Sequence, residues 1–365
     1  MSFETLFQPL ALARGPQWRN RFALAPLTNQ QSRPDGVLSD EEIHWLALRA
    51  KGGFGLVMTA AAHVQAVGQG FPGQLGVFGD QHLPGLSRLA EQLRANGAVS
   101  AVQLHHAGAR SPAELVGQPV SASDDAQSGA RGLSLDEVQR LRDDFVAAAV
   151  RAEKAGFDGV EVHGAHGYVL TQFLAAETNR RDDRYGGELE NRTRLLFEVL
   201  EGIRAATGRD FQLGVRLSVE RFGVTLAEAR ETVRQIFAQD WIDYLDLSMW
   251  DVFKEPAEPE HRERRLLDWF TDLERGRVRL GGAGRLTTPD QLEAAIAAGL
   301  DFATLGRAGI LHHDYPDQVR RLGAGFRPAE TPVAPEHLVR EGLSPVFVEY
   351  MKTFKGFVRE PVAAE

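Results

Sequence analysis

The feature that most constrains the fold is the alternation of short apolar runs with longer amphipathic runs along residues 21–325. Eight short runs are almost continuously apolar, as is typical of parallel strands that are buried on both faces. These runs cover residues 21–28, 55–62, 99–106, 159–165, 211–218, 244–249, 278–283 and 302–310. A segment with helical periodicity follows each run, so the sequence reads as eight strand–helix units.

Capping residues mark where several of the helices begin. Ser39 and Ser134 each precede a helical pattern and have a Glu three residues later, which is the capping-box spacing. Thr288 stands before Pro289 at the start of another helix, and Gly299 ends it. Further helical patterns cover residues 82–96, 189–207, 226–239, 260–275 and 315–321.

Strand–helix alternation predicts an α/β fold with a parallel sheet and right-handed crossovers. Eight units over residues 21–325 favour a closed (β/α)8 TIM barrel, with an open doubly wound sheet as the alternative. We expect one domain over residues 1–365. Residues 3–20 are predicted to form a hairpin that closes the bottom of the barrel, and residues 326–365 a C-terminal helical extension. The apolar face of this extension should pack on the barrel or on another subunit, which makes a homo-oligomer an open prediction.

Composition excludes several classes of protein. The 365 residues include no Cys, which rules out disulfides, iron–sulfur clusters and a cysteine nucleophile. A formal charge of −9 argues against general nucleic-acid binding. There is neither an apolar run of ~18 residues nor a secretory signal pattern at the N-terminus. We therefore expect a cytoplasmic protein that binds neither nucleic acid nor membranes.

The fourth predicted strand carries the strongest chemical motif. Active sites of TIM barrels lie at the carboxyl ends of the strands, and this strand ends in HGAHGY, which contains His163, His166 and Tyr168. The two histidines could bind zinc, could be satisfied by neighbours, or could donate to one anionic or carbonyl oxygen. No acidic residue or third His stands at a familiar spacing, so we predict no metal site. The phenol of Tyr168 could donate a proton.

Glycine-rich segments at the ends of the last two strands indicate phosphate binding. GGAGR and LGR let backbone N–H groups approach a ligand, and TIM barrels often bind phosphate at this position. Plain turn glycines are the alternative interpretation. Arg216 lies on a buried strand, where an unpaired guanidinium is costly, so an anionic partner is expected.

Together these residues resemble the Old Yellow Enzyme family of FMN-dependent ene-reductases. The resemblance runs from NRFALAPLT near the start to ATLGRAGI near residue 310. Its most specific part, residues 156–200, is GFDGVEVHGAHGYVLTQFLAAETNRRDDRYGGELENRTRLLFEVL. It implies an NAD(P)H oxidoreductase with tightly, non-covalently bound FMN. NAD(P)H would reduce the flavin, and a small-molecule alkene activated by a carbonyl or nitro group would then receive hydride from flavin N5, with Tyr168 as proton donor.

The resemblance also implies roles for individual residues. His163 and His166 would bind the activating oxygen of the substrate. Gln103 would bond the pyrimidine side of the flavin, and Arg216 would stand near its N1–C2 edge. The other implied FMN-binding residues are Ala25, Pro26, Leu27 and Thr28 at the polar edge of the ring, Ala61 behind the ring, and Gly282, Ala283, Gly284, Gly306 and Arg307 at the phosphate.

Three other functions remain alternatives at this point. A different FMN barrel, such as a 2-hydroxy-acid oxidase or a dihydroorotate-type dehydrogenase, would share the phosphate segments but not HGAHGY. A barrel that binds a phosphorylated ligand without redox turnover would lack bound flavin. A metal-dependent hydrolase would lose its activity on chelation.

Overall fold

The structure, a computed structural model, describes residues 3–359. Its strands are β1 (Phe22–Leu24), β2 (Leu56–His63), β3 (Val99–His105), β4 (Val120–Ser121), β5 (Arg131–Gly132), β6 (Gly159–Gly164), β7 (Gln212–Ser218), β8 (Tyr244–Ser248), β9 (Arg279–Ala283) and β10 (Phe302–Leu305). Eight of them form a closed parallel barrel in the order β1-β10-β9-β8-β7-β6-β3-β2. This closure confirms the TIM barrel and rules out the open sheet. The short strands β4 and β5 pair with each other in the segment between β3 and residue 135.

The helices surround this barrel. They are α1 (Asp40–Lys51), α2 (Leu83–Ala95), α3 (Ala113–Val116), α4 (Leu135–Lys154), α5 (Val169–Leu174), α6 (Leu189–Ala206), α7 (Leu226–Phe237), α8 (Asp268–Thr271), α9 (Pro289–Ala297), α10 (Arg307–Leu311), α11 (Tyr315–Leu322), α12 (Pro335–Arg340) and α13 (Pro345–Lys352). The prediction of a helix over residues 260–275 is wrong, because only the single turn α8 and a short 3-10 turn form there. The Leu266 N–H donates to the Lys254 carbonyl at 2.8 Å, so this backbone bonds to the preceding loop instead.

The capping predictions hold with one difference. Complete capping boxes form at Ser134 and at Thr288. Ser39 caps α1 through the Glu42 N–H, but the Glu42 carboxylate turns inward to accept from Asn29 at 3.0 Å and from Ser32. Burial raises the pKa of this carboxyl, and these bonds to Asn29 and Ser32 oppose the rise. The Glu therefore braces the loop after β1 rather than the helix start.

The N-terminal hairpin closes the bottom of the barrel, as predicted. Leu10 and Trp18 pair through two backbone hydrogen bonds of 2.9 and 3.0 Å. The Trp18 ring is fully buried and packs edge-on against Tyr244 and Phe302, with ring centroids 5.6 and 4.9 Å away. Its indole N–H donates to Gln212 at 3.0 Å. With the bottom filled by these side chains, the open end is the carboxyl end of the strands.

The C-terminal extension packs on the barrel. Phe347 of α13 is buried and meets Trp45 of α1 edge-on, at 5.3 Å between ring centroids. The helix ends at Lys352, earlier than its apolar pattern suggests, because Val358 instead pairs with Val333 in a short parallel bridge. The last residues of the predicted extension, 360–365, lie outside the described residues. No helix within residues 3–359 is long and apolar enough to span a membrane.

Candidate active site

Strand register brings polar side chains to common levels inside the barrel. His163 on β6 is in register with Arg216 on β7, which is in register with Asp246 on β8. Closer to the bottom, Gln103 on β3 is in register with Glu161 on β6. Partners in register on adjacent strands point to the same face of the sheet. The result is two levels of polar side chains beneath the open end.

The two predicted histidines lie together and bond to each other. His166 Nδ1 lies 3.2 Å from His163 Nε2, and His166 Nε2 lies 2.6 Å from Ser248 Oγ. His166 has a φ of 63°, in the left-handed region, and its backbone N–H donates to Ser218 Oγ at 2.9 Å. The His163 Nδ1 atom is buried and has no hydrogen-bond partner among the described residues. A ligand oxygen that binds the other ring nitrogens of the pair would replace the bond between the two histidines or the bond to Ser248.

Burial favours the neutral form of both histidines. Burial lowers the pKa of His163 well below its ordinary value. Burial also lowers the pKa of His166 to about 3, and the positive charges of Arg216 and Arg110 contribute. A hydrogen bond between two neutral imidazoles needs one as donor and the other as acceptor. The pair can therefore offer neutral N–H donors to a carbonyl or nitro oxygen.

Tyr168 stands directly beside this pair at the start of α5. Its ring centroid is 5.4 Å from that of His163, and the Arg110 guanidinium lies 4.8 Å above the ring. His105, at the end of β3, meets the same ring edge-on at 4.3 Å. His105 is fully buried, and neither of its ring nitrogens has a partner among the described residues. A third imidazole thus belongs to the site; its position at the end of a predicted strand marks it in the sequence as a polar residue of the open end, but no role follows from that position.

A cavity of about 410 Å³ opens at the carboxyl ends of the strands, a size typical of ligand sites. It is bordered by His166 and by most of the residues that the resemblance assigned to FMN. These are Ala25, Pro26, Leu27, Arg216, Ala283, Gly284, Gly306 and Arg307. A Cβ added at Gly306 would meet only Leu27 Cδ2, at 3.7 Å, so the space next to this glycine is open.

The other predicted FMN residues lie beside this cavity or below it. Ala61 is half-buried on β2, and Gln103 is buried and donates to Glu161 at 2.7 Å. A Cβ at Gly282 would lie 2.8 Å from Met249 Cε, so this glycine faces packed side chains. Thr28 stands near Tyr350 of α13; burial raises the pKa of that phenol, and a hydrogen bond with Thr28 opposes the rise.

Arg216 has the anionic partner that its burial required. Its Nε lies 3.4 Å from Asp246 Oδ2, within ion-pair distance, yet the geometry leaves both atoms without a hydrogen bond. Burial raises the pKa of Asp246, and the Arg216 charge opposes the rise. Burial and the nearby Asp246 raise the pKa of Glu161 to about 8. One guanidinium thus lies close to two buried carboxyl groups, whose pKa values are raised by burial and lowered by its charge.

These residues fit an FMN group. The cavity is bordered by small residues and open glycine backbone, which can accommodate a planar ring and a phosphate. Arg216 has an unsatisfied Nε at the cavity wall, and Arg307 borders the cavity next to Gly306. A cation at each place can meet the two parts of FMN that carry or develop negative charge.

Comparisons with known proteins agree with this geometry. Residues 5–321 match the NADH:flavin oxidoreductase / NADH oxidase family. The probable NADH-dependent flavin oxidoreductase YqiG of Bacillus subtilis is 33% identical over 330 residues, which cover 87% of this chain and 88% of YqiG. The structure of an old yellow enzyme homologue from Zymomonas mobilis superposes with a TM-score of 0.77 and 28% identity, over 95% of this chain and 99% of that one.

A 2-naphthoyl-CoA reductase structure is similar over a shorter part of its length. The TM-score is 0.79 at 30% identity, over 87% of this chain. The present chain spans only 52% of that reductase.

Proposed function

The chain belongs to the NADH:flavin oxidoreductase / NADH oxidase family, of the Old Yellow Enzyme type, and from that premise we propose that it reduces activated C=C bonds. It is an FMN-dependent NAD(P)H oxidoreductase. The proposed substrates are alkenes conjugated to a carbonyl or nitro group. The observation that carries the proposal is the histidine pair at the end of β6: the pair lies beside a phenol, and its member His166 borders the cavity.

The histidine pair would hold the activating oxygen of the substrate. Neutral N–H donors in a buried site stabilise negative charge that develops on such an oxygen, and the bond from the His166 backbone N–H to Ser218 helps to hold His166 in place. Binding would exchange the bond between His163 and His166, or the bond to Ser248, for a bond to the ligand.

Tyr168 would donate the proton to the α-carbon. It is the phenol nearest to the histidine pair, and its position between His105 and Arg110 fixes the ring. A phenol is a competent general acid when it lies within reach of the carbon that becomes basic.

FMN would be held tightly but without a covalent bond. Arg216 would stand at the ring, with Gln103 and Ala61 near it, and Gly306 and Arg307 would bind the phosphate. When bound, FMN takes up hydride from NAD(P)H and passes it to the alkene. The side chains of this protein supply orientation, the polar contacts and the proton.

The test is the visible absorption spectrum of the purified protein. A two-band flavin spectrum should bleach on anaerobic addition of NADPH or NADH and should recover on addition of cyclohexenone. The two rates of bleaching would rank the two dinucleotides. Recovery with oxygen but not with cyclohexenone would reject the alkene substrate. A colourless protein that does not take up added FMN would favour a barrel that binds a phosphorylated ligand.

A further inference from the structure

The mouth of the cavity carries two large aromatic side chains that face solvent. Trp250, after β8, is 65% exposed, and Phe222, after β7, is 44% exposed. The Arg221 guanidinium lies 5.2 Å from the Trp250 ring centroid, in cation–π range. All three border the same cavity as the proposed site. We call Arg221, Phe222 and Trp250 the mouth rim.

The backbone of the mouth rim is held in an unfavourable conformation. Arg221, Phe222 and Trp250 have φ values of 69°, 54° and 64°, which side-chain-bearing residues rarely adopt. A residue in this region is destabilising and persists only where its surroundings impose the conformation. Both aromatic side chains leave much of their surface in solvent, so core packing does not explain the mouth rim.

Two loops are joined so that the mouth rim keeps its shape. Glu220, next to Arg221, forms an ion pair with Lys254 and accepts from the Ala257 N–H at 2.7 Å. The loop after β7 is thereby tied to the loop after β8. Phe222 reaches back to the histidine motif, because its ring lies 6.4 Å from that of His166. The mouth rim is thus continuous with the site of chemistry.

Arg221 is an unbalanced positive charge. The neighbouring carboxylate of Glu220 is engaged by Lys254, and the nearby Asp251 lies 3.6 Å from Arg285. Within residues 3–359, the Arg221 guanidinium therefore has no ion-pair partner, and it lies over the face of Trp250. This charge stands at the entrance of a protein whose formal net charge is −9.

We propose that the mouth rim recognises an anionic group carried by the ligand that enters the proposed site. The Arg221 guanidinium would bind the anion, and the exposed rings of Trp250 and Phe222 would stack on the planar part next to it. The proposal rests on the proposed function. Two ligands of that function carry this chemistry, namely the phosphates of the nicotinamide dinucleotide and a carboxylate on a conjugated substrate.

The test compares Arg221→Met with the wild-type holoenzyme in the two half-reactions. The first arm measures the rate of flavin bleaching against NADH concentration. The second arm measures reoxidation by two enones that differ only in a free carboxylate or its methyl ester. Arg221→Lys keeps the charge and should rescue part of the loss. The matched control is Arg209→Met. The Arg209 side chain is 92% exposed and lies before the amino end of β7, opposite the mouth of the cavity.

A loss of roughly tenfold in apparent second-order rate constant is expected with the anionic ligand. A loss in the first arm alone assigns the mouth rim to the dinucleotide. A loss for the carboxylate but not for the ester assigns it to the substrate. Equal losses for acid and ester with normal bleaching, no loss in either arm, or release of FMN from the variant would each overturn the proposal. Failure of wild-type protein to reduce either enone would reject the proposed function instead, while the first arm would still test the mouth rim.

Discussion

Replacement of Glu161 by Gln tests the charge arrangement beneath the cavity. Burial and the nearby Asp246 raise the pKa of Glu161 from 4.5 to about 8. In the unfolded chain this carboxyl loses its proton as the pH rises above 4.5, whereas in the barrel it keeps its proton up to about pH 8. The unfolded state therefore binds fewer protons in this pH window, and wild-type stability falls as the pH rises through it. At about 1.4 kcal/mol per pH unit, the full window corresponds to roughly 5 kcal/mol as an upper limit.

The Glu161→Gln variant keeps the shape and a hydrogen-bonding partner for Gln103 but does not titrate. We expect equal stability of variant and wild type near pH 4.5, and a variant that becomes more stable by several kcal/mol at about pH 8. Urea unfolding at a series of pH values, with FMN in constant excess, measures the difference. Glu114→Gln, at an exposed Glu, is the control and should show no such trend. Parallel curves for wild type and Glu161→Gln would mean that Glu161 is ionised in the barrel, contrary to this reasoning.

Three further substitutions test the site and the fold. Tyr168→Phe should leave flavin reduction by NAD(P)H within about twofold of wild type and slow alkene reduction by ~10²–10⁴-fold in stopped flow, as for loss of a general acid; equal losses in both half-reactions would remove that role. His163→Ala should weaken the binding of phenolate-type inhibitors about tenfold in a spectral titration, and unchanged affinity would contradict the oxygen-binding role. Trp18→Ala should lower the free energy of unfolding by about 3–5 kcal/mol, whereas Trp250→Ala, at an exposed ring, should change it by less than about 1 kcal/mol; similar losses in both would show that the hairpin does not fill the barrel bottom.

The fold could be predicted because its signal is local and repeated. Strands such as β6 and β7 are buried on both faces, and their nearly continuous apolar runs are visible without any tertiary information. The helix prediction for residues 260–275 failed because the deciding contact there is not local. Its helical periodicity is less clear than that of the other segments, and its backbone bonds to the preceding loop through Leu266, a contact that periodicity cannot show. The capping-box prediction at Glu42 failed for a similar reason. The spacing from Ser39 suits a capping box, but the Glu42 carboxylate accepts a hydrogen bond from Asn29 in the loop after β1.

The active site was only partly visible in the sequence. The motif HGAHGY placed His163, His166 and Tyr168 at one strand end, and the structure brings their rings together. The sequence did not show that His166 also bonds to Ser248 of another strand. It equally did not show that Arg216 would be shared between Asp246 and the cavity. These contacts depend on strand register around a closed barrel, which a linear pattern does not specify.

Two kinds of departure from ordinary protein structure locate the site without any comparison to relatives. Among the described residues six non-glycine residues have positive φ, and five of them border the cavity of the proposed site: His166, Arg221, Phe222, Trp250 and Arg285. Six of the fourteen buried side-chain polar atoms that have no partner among the described residues lie beneath it, on His105, Glu161, His163, Arg216 and Asp246. Strain and unsatisfied polar groups both cost stability, and a fold retains them together only where a ligand or a reaction makes use of them. The unsatisfied atoms of these five residues lie where flavin and substrate would bind, whereas most of the backbone strain lies farther out, at the mouth. A site that extends from the barrel interior to the mouth rim accounts for the unsatisfied atoms and for the backbone strain. A site confined to the flavin accounts only for the unsatisfied atoms.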